Sequence, residues 1–216
     1  MAMKKVDEVV INIPSLKLKT IELKIIGDSP LISHAWSEKA KLMMLQKQTK
    51  KATTGKAIRR PSVEFADSLY WLTEKPNFDG LSDEEVQEIL AEVIPKSKFG
   101  FPTLAFKSAA IDAAYQQGLI EKKTTLRGAI RIIGEFAEIH GTPTIREDIG
   151  RIGMGTADLR YRAEFKTWST ELTIQYNANA VSAEQIINVF NIGGFANGVG
   201  DWRQAKDGSF GSFHVK

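Results

Sequence analysis

Alternation of apolar and polar residues marks strands toward both ends of the chain. Ile21, Leu23 and Ile25 alternate with Glu22 and Lys24 until Gly27 and Pro30 break the run. Leu172, Ile174 and Tyr176 alternate with Glu171, Thr173 and Gln175. Residues 136–140 and 145–149 read as two short strands joined by Gly141-Thr-Pro143, and residues 210–215 as a last strand.

Helical spacing fills the middle and returns near the end. Ser82 with Glu85 three residues on is a capping box, and Val86, Ile89, Leu90 and Val93 then form one apolar stripe that Pro95 ends. Ser182 with Gln185 repeats the pattern before Ile186, Val189 and Phe190, and Gly193 is expected to stop that helix. Leu126, Ala129, Ile130 and Ile133 make a third stripe, closed by Gly134. Ser62 is placed to cap a helix carrying Phe65, Leu69 and Leu72. Thr103 is placed to cap one that Gly118 stops, and Ser37 one that carries Leu42 and Leu45. Strands therefore bracket helices. That order predicts one interleaved α+β domain over residues 1–216, with a helical and basic-loop insertion at about residues 37–134.

Size and composition agree with a folded domain. The chain has 216 residues, 43% of them hydrophobic, which excludes a disordered or collagen-like chain. A domain of this length buries roughly 70% of its unfolded surface and needs no disulfide or metal to fold. There are no cysteines, so thiol catalysis and thiolate metal sites are excluded. No run of about 18 apolar residues is present, and the first residues lead to no long apolar core. The expectation is a protein with no membrane span and no secretion signal, in the cytoplasm of a bacterial or virus-infected cell.

Net charge is only +3, but its distribution is uneven. Residues 38–61 carry Lys39, Lys41, Lys47, Lys50, Lys51, Lys56, Arg59 and Arg60 against the lone acid Glu38. Within them residues 49–56, TKKATTGK, hold no apolar residue larger than alanine and read as an exposed basic loop. Residues 79–92 hold Asp79, Asp83, Glu84, Glu85, Glu88 and Glu92 and no base. A second basic set, Arg146, Arg151, Arg160, Arg162 and Lys166, surrounds Ile152-Gly-Met-Gly-Thr156. Arginine and lysine neutralise phosphates, and Tyr161 and Trp168 are candidates to stack on bases.

Catalytic chemistry is poorly represented. His34, His140 and His214 show no metal-ligand spacing, and no metal or cofactor is expected. Ser33 and His34 are adjacent, and adjacent strand residues point to opposite faces, which suits a proton relay badly. His34 remains a candidate acid/base, since imidazole titrates near neutrality. The acids of residues 79–92 fit the solvent face of a helix better than a metal site. Gly193-Gly-Phe-Ala-Asn-Gly-Val-Gly200, followed by Asp201-Trp-Arg203, follows a helix and precedes a strand, the reverse of a dinucleotide fingerprint. Two readings stay open for it: a wide turn that uses glycine for positive φ, or a loop whose N–H groups approach a phosphate beside Arg203.

The order of strand (171–176), helix (183–192), that glycine-rich run and a strand resembles the RAMP superfamily, RRM-like proteins of CRISPR systems. Phe101-Pro-Thr-Leu-Ala-Phe-Lys107-Ser-Ala-Ala110 and Leu23-Lys-Ile-Ile-Gly-Asp-Ser-Pro-Leu31 resemble its helix-opening segment and first strand and turn. The resemblance implies an RRM/ferredoxin-like antiparallel sheet, with Gly193, Gly194, Gly198 and Gly200 as the family's loop. It also implies that the basic insertion grips a nucleic-acid backbone. The run GGFANGVGDWR lacks the Arg/Ser-rich pattern of CRISPR members, so a role outside those systems, including a virus-encoded one, is open. The family's nucleases use a histidine in a motif that this chain does not match.

The resulting expectation is a non-enzymatic binder of single-stranded RNA or DNA that assembles along the strand. Its contacts are expected from Lys47, Lys50, Lys51, Lys56, Arg59, Arg60, Arg146, Arg151, Arg160, Arg162 and Arg203 with the four glycines. Two alternatives accompany it. One is a protein–protein assembly or viral interaction subunit, with the basic loop of one copy against the acidic helix of another. The other is a metal-independent endoribonuclease using His34.

Overall fold

A computed structural model of the protein describes residues 15–36, 38–49, 59–152 and 156–216. Residues 1–14, where a leader would lie, are outside the described residues, as are the expected cap Ser37, the basic-loop residues Lys50, Lys51 and Lys56, and Met154.

The long alternating runs meet in one sheet. Strand β1 (Leu18–Gly27) pairs antiparallel with β9 (Ser169–Asn177), in the register Ile21↔Ile174, Leu23↔Leu172 and Ile25↔Thr170. β10 (Phe213–Val215) adds to the other edge of β1, and β5 (Ile130–Ile132) to the other edge of β9. Taken as first to fourth in chain order, these strands lie 4-1-3-2, all antiparallel. That is the ferredoxin-like order, so the chain is an α+β fold of that kind. One sheet face, with Leu23, Ile25, Leu172, Ile174 and Ile130, is buried. The opposite face carries Glu22, Lys24, Glu171, Thr173, Gln175 and Arg131, with no Phe, Tyr or Trp side chain to stack on a base.

Helices α4 (Thr103–Gln116) and α6 (Ala183–Ala196) pack against each other through small residues. A Cβ on Gly193 would meet the Ala110 backbone at 2.6 Å, and one on Gly194 the Phe213 carbonyl oxygen at 1.9 Å. This corrects the expected stop at Gly193. Both glycines are buried inside α6, where close packing on α4 and β10 outweighs a helix cost of about 1 kcal/mol each. The helix ends three residues later, before Gly198 at φ +64°. The capping box of Ser182 and Gln185 forms as predicted, and so does that of Ser82 and Glu85 at the start of α3 (Asp83–Val93).

Other expectations change. The stripe around Leu126 splits. Helix α5 (Lys123–Ala129) ends, and Ile130 begins β5 opposite Tyr176. Ile130 and Ile132 satisfy period two as well as helical spacing, and pairing with β9 decides it. The Lys107 ammonium caps the helix end, donating to the carbonyls of Arg127 at 3.0 Å and Ile130 at 2.7 Å. Thr103 and Ser62 sit inside the first turns of their helices rather than at the caps, and α2 (Pro61–Asp67) ends before Leu69 and Leu72. α1 (Glu38–Gln48) leaves Leu42, Met43, Met44 and Leu45 exposed.

Two smaller sheets complete the molecule. β3 (Tyr70–Trp71), β4 (Phe99–Pro102) and β6 (Phe136–Ile139) form one. β2 (Leu31–Ser33), β8 (Thr156–Phe165) and β7 (Pro143–Ile152) form the other. The residues on either side of Gly141 are therefore not a hairpin, since β6 pairs β4 while β7 pairs β8 over ten residues each. The two smaller sheets and helices α1 to α3 fall in two stretches, one between β1 and α4 and one between β5 and β9. The expected insertion at 37–134 thus takes in α4 and α5, which lie between the first and second strands of the central sheet.

Candidate functional site

A cavity of about 520 Å³ lies between one face of α4 and the loop that follows α6. Ala105, Ser108, Ala109, Asp112 and Gln116 follow one another at helical spacing along that face. Gly198, Gly200, Asp201 and Arg203 form the facing wall, and His34 and Tyr70 also line the cavity.

The loop is held in place by backbone. Val199 N donates to the Gly211 carbonyl at 2.8 Å and Asp201 N to the Ile32 carbonyl at 3.0 Å. Gly200 is at φ +84°, and a Cβ there would lie 2.6 Å from the Ile32 carbonyl oxygen. Trp202, between two cavity-lining residues, takes φ +52°, a strained value for a side chain of its size.

A charged chain underlies the wall. His34 Nδ1 is 3.0 Å from Asp201 Oδ2, and Arg162 Nη2 is 3.0 Å from the same oxygen. Arg162 is 3% exposed and faces Asp148 at 3.7 Å with its other arm. Its Nε and Nη1 have no hydrogen-bond partner among the described residues. The His34 hydrogen bond, then the Arg162 charge, hold the Asp201 carboxyl below the usual carboxylate range, against the opposing effect of burial. Burial and the nearby Asp201 charge push the Tyr70 phenol up, so it stays a hydroxyl donor at neutral pH.

Ser33 and His34 do point apart. The Ser33 hydroxyl is buried and donates to the Ser68 carbonyl at 2.7 Å, while His34 is exposed. Trp168 is buried, with its indole N–H on the Ser29 carbonyl at 2.8 Å, and cannot stack on a base.

The described arginines of the two basic sets are engaged inside the molecule. Arg59 grips both oxygens of Glu64 at 2.9 Å and reaches Asp158 at 2.9 Å. Arg60 donates to the carbonyls of Phe78 and Leu81. Arg146 bonds Asp148 and Glu164 and lies 4.6 Å from the Phe210 ring centre. Arg160 meets Asp158 at 3.4 Å, and Arg203 donates to the Gly200 carbonyl at 3.0 Å. Lys47 lies in α1 and Arg151 in β7, with side chains outside the described ones. Gly193 and Gly194 serve helix packing, whereas Gly198 and Gly200 reach the cavity.

Sequence reasoning placed Gly198, Gly200, Arg203 and His34 among the candidates but missed Asp201 and Tyr70. The pairing of His34 with Asp201 spans 167 residues and has no local signature. The hairpin's neutralisation does have one. Arg146 precedes Asp148 by two, and Asp158, Arg160, Arg162 and Glu164 alternate, which puts all six on one face of a β-ribbon. Among the described residues, no helix is long and apolar enough to cross a membrane and no acidic or histidine cluster could hold a metal ion.

No protein-family model matches the chain, and no curated protein matches it. Among solved structures, the crystal structure of Cmr6 from Pyrococcus furiosus aligns over 94% of this chain and 100% of its own, at 15% identity and a TM-score of 0.36. The fold assignment rests on the strand order of the chain itself.

Proposed function

We propose that the protein binds single-stranded nucleic acid without cleaving it, through the cationic stretch of residues 38–61. The observation that carries this is eight cations against one acid in that stretch. The hairpin arginines are matched by their own carboxylates, so the reading centres on Lys47, Lys50, Lys51 and Lys56. Arg59, bonded to Asp158 of β8, ties the end of that stretch to the β7–β8 hairpin. The ferredoxin-like strand order is the one that the resemblance to RAMP proteins implies. The exposed apolar residues of α1 support copies packing side by side along a strand. Phosphate contacts would dominate affinity, so sequence preference is slight. The ultraviolet spectrum of freshly purified protein tests this. A nucleic-acid absorbance that nuclease treatment removes is expected. A protein-only spectrum, together with no binding of a labelled strand at low salt, would refute it.

A second reading has one observation in its favour. A carboxylate on Nδ1 of His34 fixes the ring and leaves Nε2 to exchange a proton, as a metal-independent ribonuclease needs. Incubation with RNA in chelator should then give fragments that His34→Ala abolishes. Intact RNA removes this reading and leaves the binding one.

A further inference from the structure

We propose that the groove along α4 is a subsite for one unstacked nucleotide of the bound strand. This rests on the nucleic-acid reading and names what the cavity receives. Its volume falls within the roughly 300–1,000 Å³ of small-molecule sites, and one face of α4 lines it over about 18 Å. The two walls differ in chemistry. Phe101, Pro102, Leu104 and Ala105 supply apolar surface, and small side chains at 105, 108 and 109 keep the floor low enough for a flat ring.

The other wall supplies polar groups fixed in advance. Arg203 spends one of its five donors on the Gly200 carbonyl, which orients the guanidinium and leaves the others for a phosphate. His34 is set by Asp201, and its Nε2 has no partner among the described residues. The Tyr70 hydroxyl, 3.5 Å from the His34 carbonyl oxygen, is only weakly engaged and is available as a donor. Asp201 is anchored by buried Arg162, so this wall does not need to order on binding. An apolar face opposite fixed polar groups, with Nε2 of His34 as an acceptor and the Tyr70 hydroxyl as a donor beside an arginine, suits a heterocyclic base joined to a phosphate. A peptide strand would leave the Arg203 donors unmatched unless it carried an acid.

Amide chemical-shift mapping with uridine and adenosine monophosphates tests this, beside binding of a labelled poly-U strand. Both nucleotides should shift the amides of Ala105, Ser108, Gly200 and Arg203, since stacking tolerates either base. Ser108 is exposed, and Ser108→Trp should fill the groove, abolish those shifts and weaken strand binding at least about fivefold. Arg203→Ala leaves the groove open and should weaken the mononucleotides in its own right, which covers a misfolded tryptophan variant. Absence of groove shifts, or full strand affinity in Ser108→Trp, overturns the subsite while the binding reading stands. Shifts from an acidic peptide and none from either mononucleotide also overturn it and assign the groove to a protein. A wild-type protein that binds no strand removes the underlying reading instead.

Discussion

Removing the Asp201 carboxylate should destabilise the whole fold, because it strands a buried cation. Arg162 is 3% exposed and depends on two acids, Asp201 at 3.0 Å and Asp148 at 3.7 Å. Breaking a buried ion pair by deleting one partner costs about 3–5 kcal/mol. Two features reduce that here. The Asp201 side chain is 36% exposed, so water reaches the site, and Asp148 still faces the guanidinium. A loss of about 2–3 kcal/mol is therefore expected for Asp201→Ala, which at this chain length lowers Tm by roughly 5–10 °C. Acid should remove part of the same stabilisation in wild-type protein. The folded Asp201 titrates below its unfolded value, so its contribution is complete above about pH 4 and fades as pH falls through the folded value. Thermal unfolding of wild type, Asp201→Ala, Arg162→Met and the double variant, at neutral pH and near pH 3, forms the assay. The double variant should recover part of the loss, since no charge is then left stranded. An Asp201→Ala protein that melts with the wild type, or a double variant no better than the single, would refute the claim that this pair anchors the cavity wall.

Glycine substitutions separate packing from propensity. Gly194→Ala puts a Cβ 1.9 Å from the Phe213 carbonyl oxygen and should cost about 2–3 kcal/mol or prevent folding, while Gly128→Ala, with nothing within 4 Å, should gain up to about 1 kcal/mol. Urea titrations of both variants check the opposite signs. Ser82→Ala removes the hydroxyl that accepts from Glu85 N at 3.2 Å and should cost about 1 kcal/mol, read as a lower urea midpoint with an unchanged slope.

What the sequence made legible was local. Both capping boxes form because their partners lie three residues apart, and the strands at 21–25 and 171–176 form because each alternates cleanly. Non-local competition decided the rest. Ile130 fits a helical stripe and a strand equally, and only Tyr176 across the sheet settles it. Gly193 and Gly194 have stop chemistry, yet Ala110 and Phe213 need that space. β8 is masked by the charges at its alternate positions. The alternation of Leu159, Tyr161, Ala163 and Phe165 with Asp158, Arg160, Arg162 and Glu164 carried the strand signal all along. The site divided the same way. Gly198, Gly200 and Arg203 were visible as a glycine-rich turn with a cation, whereas Asp201 became significant only when β2 brought His34 to it and β8 brought Arg162.

The salt dependence of strand binding tests the central claim most directly. If Lys47, Lys50, Lys51 and Lys56 each neutralise a phosphate, together they contribute about −2.8 to the slope of log K against log salt, and Lys50→Ala with Lys51→Ala should make the slope shallower by about 1.4. A slope near zero, or one that the double substitution leaves unchanged, would contradict the account.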